Sequence, residues 1–228
     1  MPIYLYCVLP TRSEAPTGPL AGIDGSPVRA IELAGLELWV SEVDVPAVVP
    51  TLERARAHDA VVRTALEGAT PVPARFGQIF ADDRTLLEGV ERRRHSLVAA
   101  LDRVRGAVEM TVTAPVDTPA REPRPTSGSG RAYLESVRRE QAAVLDNIRR
   151  ADFLHQRVAA VVSGLVMAEA RAEVGAASRT LGISHLVSRS MVPQYQAATA
   201  GLGVALPAQR ILVTGPWAPY SFVSVAND

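Results

Sequence analysis

The sequence predicts an α+β protein of two domains, each a mixed or antiparallel sheet covered by long helices. Three observations lead there. Short runs of β-branched and aromatic residues are interspersed with long stretches whose apolar residues recur at helical spacing. A segment rich in Pro, Gly and Ser at residues 115–130 divides the chain into 1–114 and 131–228. Each half holds both strands and a long helix, in an order that suits an antiparallel or mixed sheet with helices laid over it. No short sequence repeat is present.

Residues 3–9 (IYLYCVL) have strand composition and end at Pro10. The stretch TRSEAPTGPLAGIDGSP that follows carries Pro, Gly or Ser every few positions and predicts a long connection. Val28 to Leu33 and Leu36 to Val43 flank Ala34 and Gly35, the spacing of a tight hairpin. Asp44 and Pro46 suit the start of a helix, and Val48, Val49, Leu52, Ala55, Val62 and Leu66 follow at near-helical spacing up to Gly68. After the apolar segment PVPARFGQIF, Asp82 can cap a second helix with a buried stripe of Leu86, Val90, Leu97, Leu101 and Val104, ended by Gly106. Val108, Met110 and Val112 then alternate with Glu109 and Thr111, the period of a half-buried strand.

The dividing segment APVDTPAREPRPTSGSG cannot support a packed element and reads as a linker. Beyond it a long helix is expected from about Gly130 to residue 162. Its candidate buried positions are Leu134, Val137, Val144, Leu145, Ile148, Val158 and Val161, with a register break near Asp152. Strands are expected at Leu165 to Ala172, Ile183 to Ser188 and Arg210 to Thr214, with a short helix from Val192 to Ala200.

With 228 residues, 47% of them hydrophobic, the chain can bury a core without metals or disulfides. The 24 basic residues, all arginine, balance 24 acidic ones, so no net positive field favours nucleic acid or an anionic membrane. Partners are expected to be recognised by shape and apolar surface. The single cysteine, Cys7, excludes an internal disulfide and fits a reducing cytoplasm. The opening MPIYLYCVLP lacks the features of a secretory signal, and the longest apolar run, Val158 to Ala170, is too short to cross a bilayer. A soluble intracellular protein is expected.

Signals of catalysis are weak. His58 and Asp59 are neighbours on an expected helix, where adjacent side chains diverge by about 100°, so they read as a solvated face and not as an acid–base pair. His95, His155 and His185 lack the close spacings of metal ligands, and no metal is expected. Cys7 sits in an expected core strand with no basic neighbour in sequence, as a packed thiol would. The glycine pairs at Gly22/Gly25 and Gly128/Gly130 do not lie between a strand and a helix with phosphate-binding spacing. Arg92, Arg93 and Arg94 fan across the polar side of a helix, either as a solvated face or as a contact for an acidic partner.

Three strings, in this order, carry more information: the opening IYLYCVL, the middle PVPARFGQIF and the closing TGPWAPYSFV. With Gly130-Arg131-Ala132-Tyr133-Leu134 after the linker, they resemble the GvpF/GvpL family of gas vesicle proteins over essentially the whole chain. Members often carry Gly where Cys7 stands and a second proline where Ala218 stands. The resemblance implies two α+β domains, no cofactor, no catalytic residue, and a gas vesicle location within the cytoplasm. It also implies a minor component or assembly factor that contacts the main hydrophobic shell protein, with other gas vesicle accessory proteins as further candidate partners.

The residues themselves leave the contact surface open. In the closing string Gly215 supplies backbone freedom, Pro216 and Pro219 fix φ, and Trp217, Tyr220 and Phe222 present large rings. This turn either locks the last strand to its sheet or meets a partner. Arg75 and Phe76 should point to opposite faces of an extended segment, one of them buried or paired. Arg75 either ties two elements together or docks the shell subunit. The alternative function is a small-molecule-binding or hydrolytic α+β enzyme in which Arg75 holds an anion.

Overall fold

A computed structural model describes residues 1–11, 19–45, 47–115, 130–172, 180–205 and 210–223. It is an α+β structure that separates into two compact units: Met1–Glu109 with Pro216–Asp228, and Met110–Gly215. The expected division at 115–130 differs from this in one important respect. The closing string leaves the second unit and returns to the first. The expected linker itself lies, apart from its end residues, outside the described residues.

The first unit is built on β1 (Ile3–Pro10), whose residues from Ile3 to Leu9 are all buried. A continuous apolar run of this kind is what a central strand covered on both faces requires. On one side it pairs antiparallel with β3 (Leu36–Glu42), which pairs in turn with β2 (Arg29–Leu33). On the other side it pairs with β4 (Val72–Pro73) and β5 (Ile79–Phe80). A register shift between Leu5 and Cys7 marks a bulge in β1 opposite β3. The expected hairpin is present, with Ala34 at φ 48° and Gly35 at φ 88°, the left-handed pair of a type I′ turn.

Two helices pack against β1: α1 (Leu52–Gly68) and α2 (Asp83–Val104). α1 begins later than Asp44 and Pro46 suggest. Thr51 is its cap, accepting from the Arg54 amide at 3.2 Å, and the buried face is His58, Val61, Val62, Ala65 and Leu66. Val49 and Leu52, expected inside, are 66% and 67% exposed. Val49 precedes the helix and Leu52, its first residue, points away from the buried face, so neither continues the stripe. α2 matches its sequence pattern. Asp82 accepts from the Thr85 amide at 2.7 Å, and Leu86, Val90, Leu97, Leu101 and Val104 form the buried stripe. Gly106, at φ 66°, turns the chain into β6 (Ala107–Pro115).

The second unit contains a four-stranded sheet in the order β7-β8-β6-β9, where β7 is Ala168–Arg171, β8 is Thr180–Ser188 and β9 is Leu212–Trp217. β7 and β8 are antiparallel. The long α3 (Gly130–Val162) packs on β8 and on the short α4 (Val192–Thr199), which is followed by the one-turn α5 (Leu202–Ala205). α3 runs without the break expected near Asp152. Of its expected buried positions only Val158 is fully enclosed, and the true core contacts are Leu154, Val158 and Val162 with Asn147. Length explains this: a 33-residue helix spans about 50 Å, whereas the nine-residue β8 spans about 30 Å, so much of the helix has no sheet beneath it.

Ala34 occupies a left-handed conformation that costs a non-glycine residue about 1 kcal/mol and that asparagine tolerates far better. Ala34→Asn should therefore raise stability by about 0.5–1 kcal/mol. An unchanged or lowered thermal midpoint would contradict the turn assignment.

Candidate partner-binding site

The three distinctive strings meet in the first unit around His58. This residue is 4% exposed, contrary to the solvated helix face expected for it. Tyr4 of the opening string places its hydroxyl 2.9 Å from His58 Nδ1, and Tyr220 of the closing string places its own 3.2 Å from Nε2. From the middle string, the Gly77 amide donates to the Tyr4 hydroxyl at 3.0 Å, and the Phe76 ring lies edge-on to both Tyr4 and His58. Gly77 has φ 84°, the left-handed turn that brings its amide round to this bond. Tyr6 continues the cluster: its hydroxyl pairs with Ser41 Oγ at 2.7 Å and accepts from the Ile23 amide at 2.8 Å. A Cβ on Gly22 would stand 1.9 Å from that hydroxyl, so only glycine leaves room for it.

The chemistry of this node is structural. Both ring nitrogens of His58 face a tyrosine hydroxyl, which leaves neither aimed at an outside substrate. Burial pushes the His58 pKa down to about 4 and raises those of Tyr4, Tyr6 and Tyr220, so all four are neutral at pH 7. Asp59, the supposed acid partner, forms an ordinary surface ion pair with Arg63 at 2.5 Å. Cys7 is buried, and burial raises its thiol pKa, as a packed thiol requires.

The candidate contact residues divide by orientation. Phe76 is half-buried against the aromatic cluster, whereas Arg75 beside it is exposed and its guanidinium holds no hydrogen bond or ion pair among the described residues. The segment is extended only in part, since β4 and β5 flank a turn closed by the Gln78 amide on the Arg75 carbonyl at 3.2 Å. Gly215-Pro216-Trp217 is the end of β9, and the turn proper follows, with the Phe222 and Val223 amides both donating to the Pro219 carbonyl. Trp217 stacks under the Arg63 guanidinium at 5.3 Å. The Phe222 carbonyl accepts from Arg103 of α2 at 3.1 Å. Tyr220 stays 37% exposed although its hydroxyl points inward.

Sequence reasoning missed His58 and Glu109. Glu109 was expected on the solvent side of its strand but is 6% exposed, its carboxylate accepting from the Ser221 amide at 2.8 Å and hydroxyl at 2.7 Å. An acidic residue in an apolar strand was the available signal, but its partner lies 112 residues away. In the second unit, His155 and His185 lie on either side of Glu169, at 2.9 and 3.4 Å, and His185 Nδ1 pairs with the Tyr195 hydroxyl at 2.7 Å. Among the described residues no group of three His, Cys, Asp or Glu is placed to hold a metal ion. An open cavity of about 280 Å³ in the same unit is lined by small and apolar residues such as Met110, Ala200 and Val213, with Gln196 and Thr199. Among the described residues no helix is long and apolar enough to cross a membrane.

A neutral buried histidine has a definite pH signature. The folded state holds His58 near pKa 4 while the unfolded chain titrates near 6.5, so its contribution is complete above 6.5 and is lost as pH falls toward 4, by about 3 kcal/mol. Chemical denaturation of the wild type and of His58→Gln across that interval should show the wild-type advantage shrinking as pH drops. A gap that does not vary with pH would refute the buried neutral state.

Residues 2–224 match the family described as gas vesicle synthesis protein GvpL/GvpF. Gas vesicle protein L of a Streptomyces species is 29% identical over 92% of this chain and 79% of its own length. Gas vesicle protein F of Haloferax mediterranei is 27% identical over 87% of this chain and 82% of its own. The crystal structure of GvpF from Anabaena superposes with a TM-score of 0.79 at 16% identity, covering 99% of this chain and 97% of that one. GvpF from Microcystis aeruginosa gives 0.75 at 18% identity, covering 97% and 98%. At such identities the structures speak for the fold, and the family match over nearly the whole sequence speaks for kinship: the chain belongs to the GvpL/GvpF family of gas vesicle proteins.

Proposed function

We propose that this protein is a minor structural component or assembly factor of the gas vesicle that binds the main hydrophobic shell protein, in the cytoplasm, and acts by binding and not by chemistry. The observation that carries this reading is the convergence of the three strings on His58. The first unit fixes Phe76 and Tyr220 at that node, Trp217 beneath Arg63 and the Phe222 carbonyl on Arg103, with the exposed Arg75 next to Phe76. Aromatic and arginine side chains that need little ordering on association are the types that dominate binding energy at protein interfaces. Covering the apolar surface of shell subunits before they polymerise would suppress misassembly. Other gas vesicle accessory proteins are further candidate partners.

The alternative, an enzyme holding an anion on Arg75, draws no support from the surroundings of that residue. Its side chain is exposed, and no other charged group pairs with it among the described residues.

The test is capture of the shell protein, presented as a soluble fusion, by the full-length chain. The wild type should retain it, and Trp217→Ala or Arg75→Ala should weaken capture about tenfold with a melting temperature within a few degrees of wild type. Absence of capture by the wild type would defeat the proposal. Loss of folding in Trp217→Ala would assign that residue to locking the last strand.

A further inference from the structure

The first half of α3 carries an apolar strip that stands largely exposed. Tyr133, Leu134 and Leu145 are 55%, 56% and 55% exposed and Ile148 is 40% exposed, while Val137 and Val144 are half-buried. At 100° per residue, Leu134, Val137, Leu145 and Ile148 fall within an arc of about 80°, a stripe some 20 Å long. Gln141 lies in the middle of that arc and supplies an amide. Leu154 and Val158, which seal the second half of the same helix into the core, lie on a different face.

The charges beside the strip are asymmetric. Arg138 and Arg149 project about 20–40° beyond Leu145, along one flank. Both are exposed, and neither has an ion pair or hydrogen bond among the described residues. Arg131 and Arg150 of the same helix, by contrast, are paired, with Glu135 at 3.1 Å and Asp146 at 2.9 Å. An apolar stripe bordered by two unpaired guanidiniums is complementary to an amphipathic helix whose apolar face is edged by carboxylates.

We infer that Leu134, Val137, Leu145 and Ile148 of α3, bordered by Arg138 and Arg149, form a docking strip for an amphipathic, acid-edged helix of the shell subunit. This rests on the proposed binding of the shell protein and locates a contact in the second unit, apart from the aromatic node of the first.

The experiment measures affinity of the full-length chain for the soluble shell-protein fusion, in low and high salt. Two double variants are compared with the wild type: Leu134→Glu with Leu145→Glu, and Arg138→Glu with Arg149→Glu. All four positions are exposed, so circular dichroism and melting temperature should stay at wild-type values. The leucine variant should lose at least about tenfold in affinity. The arginine variant should lose affinity and also the salt dependence seen with wild type. Wild-type affinity in both variants overturns the inference and leaves the proposed function standing. No binding by the wild type itself overturns both. A concentration-dependent dimer that the leucine variant abolishes, with shell binding intact, assigns the strip to a second copy of this chain and likewise overturns the inference.

Discussion

The first unit depends on one line of hydrogen bonds, from Tyr4 through His58 to Tyr220, with the Gly77 amide closing its near end. The Tyr4 hydroxyl and the His58 ring are placed where water is scarce, and leaving one of these groups unsatisfied would cost about 1–3 kcal/mol. Such a network stabilises only when complete, so the four segments that supply it are bound to one another's placement. β1, α1, the turn between β4 and β5, and the closing turn therefore have a single mutual arrangement. The neighbouring Tyr6 repeats the logic with Ser41 and the Ile23 amide, and the bare backbone of Gly22 is the space its hydroxyl needs.

Around this node the remaining fixings are of ordinary strength. The Arg54 guanidinium clasps Asp24 through two bonds of 2.8 Å, but the carboxylate is open to solvent, so the pair contributes little. Glu109 differs in kind. Its carboxylate sits in the core and is satisfied by the Ser221 amide and hydroxyl, so removing those partners would leave a buried acceptor bare. The closing string is thus held at Trp217 by Arg63, at Tyr220 by His58, at Ser221 by Glu109 and at Phe222 by Arg103. Its distinctiveness in the sequence reflects this density of attachments.

Local signals were legible and distant ones were not. The stripe and cap of α2, the hairpin at Ala34-Gly35 and the span of α3 follow from spacing and capping chemistry, which act over a few residues. The start of α1 misled because Asp44 and Thr51 are both plausible caps, and propensity alone does not choose between them. His58 was misread because its partners lie 54 and 162 residues away, where no periodicity reaches. The α3 stripe was recognised as apolar, but apolarity does not reveal whether a sheet lies underneath. For the candidate contact residues, the family resemblance singled out strings that the fold brings together, and only the fold distinguished the half-buried Phe76 from the exposed Arg75.

The return of the closing string to the first unit makes the second unit an insertion in the chain path, between Glu109 and Pro216. During synthesis, β1 and α1 emerge from the ribosome long before Tyr220 does, and His58 must wait with one ring nitrogen unmatched while the next 162 residues are made. The first unit is thus begun before the second and completed after it. A ribosome that stops before Tyr220 yields a first unit with an open seam, which ties the soundness of what has already folded to residues still to be added.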